Sequence, residues 1–264
     1  MSLRQTLAHW LRPAPRPAAA QAAAEPEQPG LLPFRSASRT HVGRVRLINE
    51  DRVLDCPQRG LWAIADGMGG HSAGDIAAEA AISALQQLAN AGPVEAAAVE
   101  AALQSVNRSL HRRTQNGARL SGATIVVLLA TAERLTVLWA GDCRAYRLRD
   151  NRLHQLTRDH SVVQELLDAG AIDAEQASRH PQAHVVTRAL GADDALKLDR
   201  VSADIAPGDL YLLCSDGMPS SVPALADILA GDLDQLDIPA SRLLDHALAA
   251  GGQDNVSLVL VRKD

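Results

Sequence analysis

Three strand-like runs stand almost end to end in the middle of this chain: ATIVVLLA (123–130), RLTVLWA (134–140) and RAYRLR (144–149). Only Thr131 to Glu133 and Gly141 to Cys143 separate them. So few residues leave no room for a crossover helix, so successive strands must pair antiparallel. LWAIA (61–65) ends at Asp66-Gly67 and reads as a buried strand feeding a loop. Further strand-like segments lie at 197–204, 209–214 and 255–262. Helical spacing occupies other stretches. Ala77, Ala80, Ala81, Ala84, Leu85 and Leu88 form one stripe over 75–88. Pro93 is suited to open a second helix that buries Val99, Leu103, Val106 and Leu110. Residues 161–169 and Val222 to Ala250 also read as helical, whereas 171–195 are polar and irregular. Strands in runs, with helices kept apart, imply α+β layers and not a doubly wound βαβ sheet.

Aromatic residues are only 2 % of the chain, so Ala, Leu and Val must fill the core. Residues 13–33 are rich in Pro and Ala and read as a linker. Leu3, Leu7, Trp10 and Leu11 have helical spacing, but a frayed terminus is the simpler reading. The expected organisation is a tail over 1–38 and one folded domain over 39–264, beginning near Arg39. The net charge is −5, and the first 40 residues, with five Arg and two Glu, run against it. An acidic body argues against nucleic-acid or anionic-membrane partners. Cys56, Cys143 and Cys214 are odd in number and widely spaced, which fits a reducing, cytoplasmic setting. No apolar run reaches the roughly 18–20 residues of a membrane span. The N-terminus lacks the apolar core of a secretion signal.

The chemistry is written in where the carboxylates fall. Asp66 follows WAIA, Asp142 follows LTVLWAG, and Asp216 follows LYLLCS. Asp254 and Asn255 precede VSLVLV, while Glu50 and Asp51 follow the strand-like VRLI. A single Asp-Gly usually marks a turn; Asp204, Asp209 and Asp232 need mean no more. Several carboxylates at the rim of one sheet would repel unless a divalent cation neutralised them. Oxygen donors without His or Cys at ligand spacing select hard ions, Mg²⁺ or Mn²⁺. Gly67, Gly69 and Gly70 let backbone approach closely enough for a carbonyl to join the ligands.

Six blocks occur in order: Arg46-x-x-Asn49-Glu50-Asp51, Asp66-Gly67-Met68-Gly69-Gly70-His71, Ser121-Gly122-Ala123-Thr124, Gly141-Asp142-Cys143-Arg144, Ser215-Asp216-Gly217 and Asp254-Asn255. Together they resemble the bacterial branch of the metal-dependent PPM/PP2C protein serine/threonine phosphatases, over about residues 41–262. Thr157 to His160 and Arg179 to Gly191 resemble the flap of those proteins. The resemblance implies a four-layer α-β-β-α sandwich, with two central antiparallel sheets flanked by helices. It implies two tightly bound Mn²⁺ or Mg²⁺ ions, a third weaker one, and hydrolysis of phosphoserine and phosphothreonine by a bridging metal-bound hydroxide. Asp66 would bridge the two ions, and the Gly67 carbonyl would ligate one of them. Asp216 and Asp254 would hold the other, with Glu50 acting through water. Asp142 would share the third ion with Asp216, and Arg46 would clamp the phosphate. Asp51, Thr124 and Asn255 would support the ligands from behind. The expected partners are phosphoproteins, a Ser/Thr kinase among them, and the protein is expected to be a monomer.

Met68 stands where animal relatives carry a His, Cys143 where Ser is usual, and Ser220 where an acidic residue often follows. Cys143 and Arg149 have the C-x5-R spacing of a cysteine-dependent phosphatase loop. The residues between them, however, alternate like a strand and include no Gly. His180 and His184 have the spacing of a helical zinc pair, which Pro181 argues against.

Overall fold

The computed structural model describes residues 32–69, 73–117, 121–218, 222–231 and 233–264. The spacing near the N-terminus, Gly70, His71, Ser220 and Asp232 lie outside them. In chain order the elements are β1 (Phe34–His41), β2 (Asp51–Cys56), β3 (Leu61–Met68), α1 (Ala73–Ala91) and α2 (Ala96–Gln115). Then follow β4 (Gly122–Ala130), β5 (Arg134–Ala140), β6 (Arg144–Arg149), β7 (Arg152–Gln155), α3 (Val162–Asp168) and α4 (Ala174–Ser178). The chain closes with β8 (Asp199–Asp204), β9 (Leu210–Cys214), α5 (Val222–Leu229), α6 (Asp237–Ala249) and β10 (Val256–Lys263).

Among the described residues these strands form two five-stranded sheets, ordered β1-β10-β9-β6-β7 and β2-β3-β4-β5-β8. Every pairing between neighbours is antiparallel, but the expected run of three successive partners is broken: β4 pairs with β5, whereas Gly141 to Cys143 carry the chain across so that β6 joins the other sheet, between β9 and β7. The side-chain period of a strand then sorts the core into three layers. Along β4, Ile125, Val127 and Leu129 pack with Leu85 of α1 and Leu103 of α2. Val126 and Leu128 face the other way, into the space between the sheets, with Trp62, Trp139, Tyr211 and Val259. Beyond the second sheet, Tyr146, Leu212 and Leu258 pack on Leu225 of α5 and Leu243 of α6. Strands covered on both faces need no polar alternation, which explains the unbroken apolar run at 123–130. The result is the expected α-β-β-α sandwich.

Several boundaries differ from the sequence reading. The first strand starts at Phe34, ahead of Arg39. Phe34 is buried edge-on against Trp62, with ring centroids 5.5 Å apart; burying such a ring contributes on the order of 2 kcal/mol. Any truncation meant to spare the sandwich must therefore stop before residue 34. The VRLI segment is no strand; it lies in the loop between β1 and β2, and Asp51 opens β2 instead of trailing a strand. Pro93 sits in the turn before α2, whose N-cap is Glu95. The stretch from Val222 to Ala250 is two helices, parted around Gly231. The short strand β7 lies where the sequence reading places no element, and the five-residue α4 lies within the stretch read as irregular.

Candidate active site

The loops at one end of both sheets enclose a cleft of about 920 Å³. Arg46, Glu50, Asp66, Asp142, Asp216 and Asp254 all line it. The register shows how they meet. Asp66, at the end of β3, lies directly opposite Asp51 on β2 and Thr124 on β4. Like charges directly opposite on neighbouring strands repel, so sequence has built a strain here that something must relieve. Asp142 leaves β5, Asp216 leaves β9, and Asp254 precedes β10.

Close backbone approach brings these ends together. A Cβ on Gly67 would come within 2.4 Å of the Gly74 backbone and 2.8 Å of the Glu50 carbonyl oxygen. A Cβ on Gly217 would stand 2.0 Å from the Asn255 carbonyl oxygen. Neither position admits a side chain. Asn255 ties the remaining loop in place: its Nδ2 donates to the Val42 and Ile48 carbonyls, at 2.9 Å each, and its Oδ1 accepts from the Glu50 amide at 2.8 Å. Ser215 Oγ donates to Asp51 Oδ2 at 2.9 Å and accepts from the Ser257 amide at 3.0 Å. Thr124 Oγ1 lies 3.1 Å from Cys143 Sγ.

The carboxylates are electrostatically unhappy. Burial, and then Asp51, Asp216, Asp142 and Asp254 in turn, push the Asp66 pKa well up. Burial first and Asp216 second raise Asp142 to about 7. Asp51 rises to about 6, mainly through burial, against the help of its serine hydrogen bonds. Asp216 opens to solvent through the cleft yet is hemmed in by protein atoms. Lost hydration and Asp254 raise its pKa, and it lies close enough to Asp66 for the two carboxyls to share a proton. Glu50 Oε1 and Asp51 Oδ1 are buried with no hydrogen-bond partner. These orphaned, mutually repelling oxygens suit a hard divalent cation. Among the described residues no three such side chains already stand gathered as a cage, so binding an ion would have to draw them inward.

Arg46, expected at the phosphate, is paired through Nη2 with Asp254 Oδ2 at 2.6 Å. That contact raises its pKa further. On the far side, the segment after β7 closes the cleft. Its base is fixed where His160 and Gly141 exchange hydrogen bonds, at 2.9 Å and 3.1 Å, and where the Thr187 amide meets the His160 carbonyl at 2.8 Å. Arg144 holds Asp159 with two guanidinium nitrogens. The sequence reading placed His184 only as half of a loop pair. It lines the cleft and, through its charge, lowers the Asp216 pKa. Nothing local in the sequence signals this, because only the fold brings residue 184 to the cleft that Asp216 lines. His180 and His184 do not share a helix, as Pro181 implied.

The C-x5-R alternative fails on geometry. Cys143 is buried, and Arg144–Arg149 is strand β6, so no loop cradles an anion there. Arg149 stands at the opposite end of that strand, paired with Asp209. Burial also raises the Cys143 thiol well above its ordinary pKa, the reverse of an activated nucleophile.

Residues 37–166 match the model of the family described as protein phosphatase 2C. The serine/threonine protein phosphatase PstP of Mycobacterium tuberculosis is 36 % identical over 233 residues, which cover 87 % of this chain but only 45 % of that protein. The present chain thus spans less than half of that relative's length. The serine/threonine phosphatase stp of Listeria welshimeri is 34 % identical over 240 residues, covering 86 % of this chain and 94 % of that one. Among solved structures, the catalytic domain of PstP in complex with two manganese ions superposes with a TM-score of 0.77 at 36 % identity, covering 87 % of this chain and 97 % of that one.

Proposed function

This chain belongs to the protein phosphatase 2C family, and from that premise we propose that it hydrolyses phosphoserine and phosphothreonine in proteins with Mn²⁺ or Mg²⁺ bound in the carboxylate cleft. One observation carries the reading: Asp66, Asp142 and Asp216 line one cleft with Asp51 buried behind them, and each has its pKa driven up by burial and by its neighbours' charge. Asp66, the Gly67 carbonyl, Asp216 and Asp254 would hold two ions, with Glu50 behind them, and Asp142 would share a weaker third with Asp216. Bound, the ions supply Lewis acidity that activates water and offsets phosphate charge. The chain's own residues do the rest. Arg46 exchanges Asp254 for the phosphoryl oxygens, a charge-assisted contact that orients the ester. Asp51, Thr124 and Asn255 keep the ligand-bearing backbone in register. Asp142 lines the cleft, where it would serve protonation of the departing seryl or threonyl oxygen.

Within this proposal the protein opposes a Ser/Thr kinase, acts as a monomer and works in the cytoplasm. Three free, buried cysteines support a reducing compartment. Among the described residues no helix is long and apolar enough to cross a membrane. Residues 1–31 are dispensable for small substrates, and segment 160–195 selects among protein substrates. The test is hydrolysis of p-nitrophenyl phosphate, which should need Mn²⁺ or Mg²⁺ and stop with chelator. Undiminished turnover in excess chelator would exclude the assignment. A binding-only phosphatase fold would show no turnover with either metal.

A further inference from the structure

Soluble domains scatter single apolar side chains over their surface, but here they gather. Among the described residues, six large hydrophobic side chains are exposed: Val45, Leu47, Ile48, Ile76, Val185 and Ile238. Three of them fall in one four-residue stretch around Arg46. Leu47 is 98 % exposed and Val45 57 %. The chain alternates there. Arg46 and Ile48 line the cleft, so Val45 and Leu47 stand on its outer lip. Val185 lies between His184 and Val186, both of which line the same cleft. Its carbonyl accepts from the Val162 amide at 2.9 Å, which holds it at the base of α3. Ile76 lies two residues beyond Gly74, which touches Gly67 of the cleft.

The lip is not a by-product of folding. The sequence 45–48 looks like a strand but joins no sheet, so its apolar residues contribute nothing to the core. Asn255 nevertheless clamps the loop at both ends, through Val42 and Ile48, and so holds the lip in place. An exposed apolar patch continuous with a functional cleft marks a contact with another molecule.

We propose that this lip selects phosphoprotein segments carrying an apolar side chain within a few residues of the phosphorylated Ser or Thr. The phosphate descends to Arg46, and the neighbouring Leu-, Ile- or Val-like side chain packs on Val45 and Leu47 outside. This rests on the phosphatase reading above and names the substrate class of that site.

The test uses two phosphothreonine peptides of equal length, one with Leu and Val flanking the phosphoresidue and one with Ser and Gln. The full-length protein with Mn²⁺ should show kcat/KM about tenfold higher for the apolar peptide, carried by KM, as burial of one aliphatic side chain allows. In the Val45→Ser/Leu47→Ser protein that preference should vanish while the rate on p-nitrophenyl phosphate stays unchanged. Val45→Met/Leu47→Met should retain it. Equal kcat/KM for both peptides, or a preference that survives the serine substitutions, would overturn the proposal. If p-nitrophenyl phosphate is itself not hydrolysed, the phosphatase reading fails separately. Fluorescence anisotropy with phosphonate versions of the two peptides then decides this one, since their affinities must still differ about tenfold. Dimerisation of the native protein that the serine substitutions abolish would show that the lip meets a second copy, and would also refute it.

Discussion

Strand β6 pairs an arginine with a buried aspartate side chain near each end, Arg144 with Asp159 beside the cleft and Arg149 with Asp209 away from it, but among the described residues no such ion pair holds Asp51, Asp66, Asp142 or Asp216 at the cleft. At the end away from the cleft, Asp209 is 1 % exposed. Arg149 grips it through two nitrogens at 2.6 Å and 2.5 Å, the Tyr211 hydroxyl donates at 2.8 Å, and the Ala206 amide donates at 2.8 Å. Burial would push its pKa up, but these donors outweigh it and the pKa falls. At the cleft, Asp51, Asp66, Asp142 and Asp216 have similar crowding and too few donors, and their pKa values rise. Burial alone therefore does not mark a site. What marks it is burial that the protein leaves uncompensated.

The largest expected effect tests that contrast at the cleft. Asp216→Asn should lose at least about 10²–10³-fold in Mn²⁺-dependent turnover, on the scale of lost metal or acid–base function. In the absence of metal, the same variant should be no less stable than the native protein, because it removes a repelling charge. A fall in metal-free stability would mean that Asp216 is structural. Asp142→Ala should lower kcat by more than tenfold while calorimetry still finds two bound Mn²⁺. Loss of both tight ions would move Asp142 into their primary ligand set.

At the other end the signs reverse. Asp209→Asn should cost about 2 kcal/mol of stability in urea unfolding, since it strips charge from a well-bonded group. Its Mn²⁺-dependent rate per folded molecule should not change. Altered metal affinity would show that the two ends are coupled.

A pH series sharpens the comparison without mutation. Carboxyls held near 7 at Asp142 and near 6 at Asp51 bind protons more tightly in the fold than in the unfolded chain, where they titrate near 4. Raising the pH from about 4 through 7 therefore removes protons that favour the fold, and the metal-free protein should lose stability over that window. Mn²⁺ should restore it by mass action at neutral pH. A flat metal-free melting temperature from pH 5 to 8 would mean that the crowding is relieved in solution. The smallest effect is expected of Cys143→Ser, which should keep most activity because the thiol is buried against Thr124 and faces no substrate. An inactive, folded and metal-loaded serine variant would reinstate a role for the thiol.

Much of the scaffold was readable because its signals are local. The apolar run of β4 and the stripes of α1 and α2 announce themselves over a few residues. The misreadings fall where local pattern and long-range partner disagree. FRSASRTH is mostly polar, yet β10, more than two hundred residues away, recruits it as β1. RLHQ has one apolar residue, and its pairing with β6 makes it a strand. VRLI has strand composition but finds no partner strand and stays at the cleft lip. His184 gave no signal because only the fold brings it to the cleft that Asp216 lines.

The sequence alone determined most of the strand segments, though not that β5 and β6 join different sheets, together with the glycines that permit close backbone approach and the set of carboxylates near strand ends. These follow from steric and periodic rules acting within a dozen residues. Asp209 and Asp216 look alike in that record, each an aspartate beside strand β9. Only the tertiary structure decided which received Arg149, Tyr211 and an amide, and which was left facing Asp66 and Asp254. An ionisable group's state depends on charges and donors brought within a few ångströms from distant parts of the chain, and chain folding alone sets those distances.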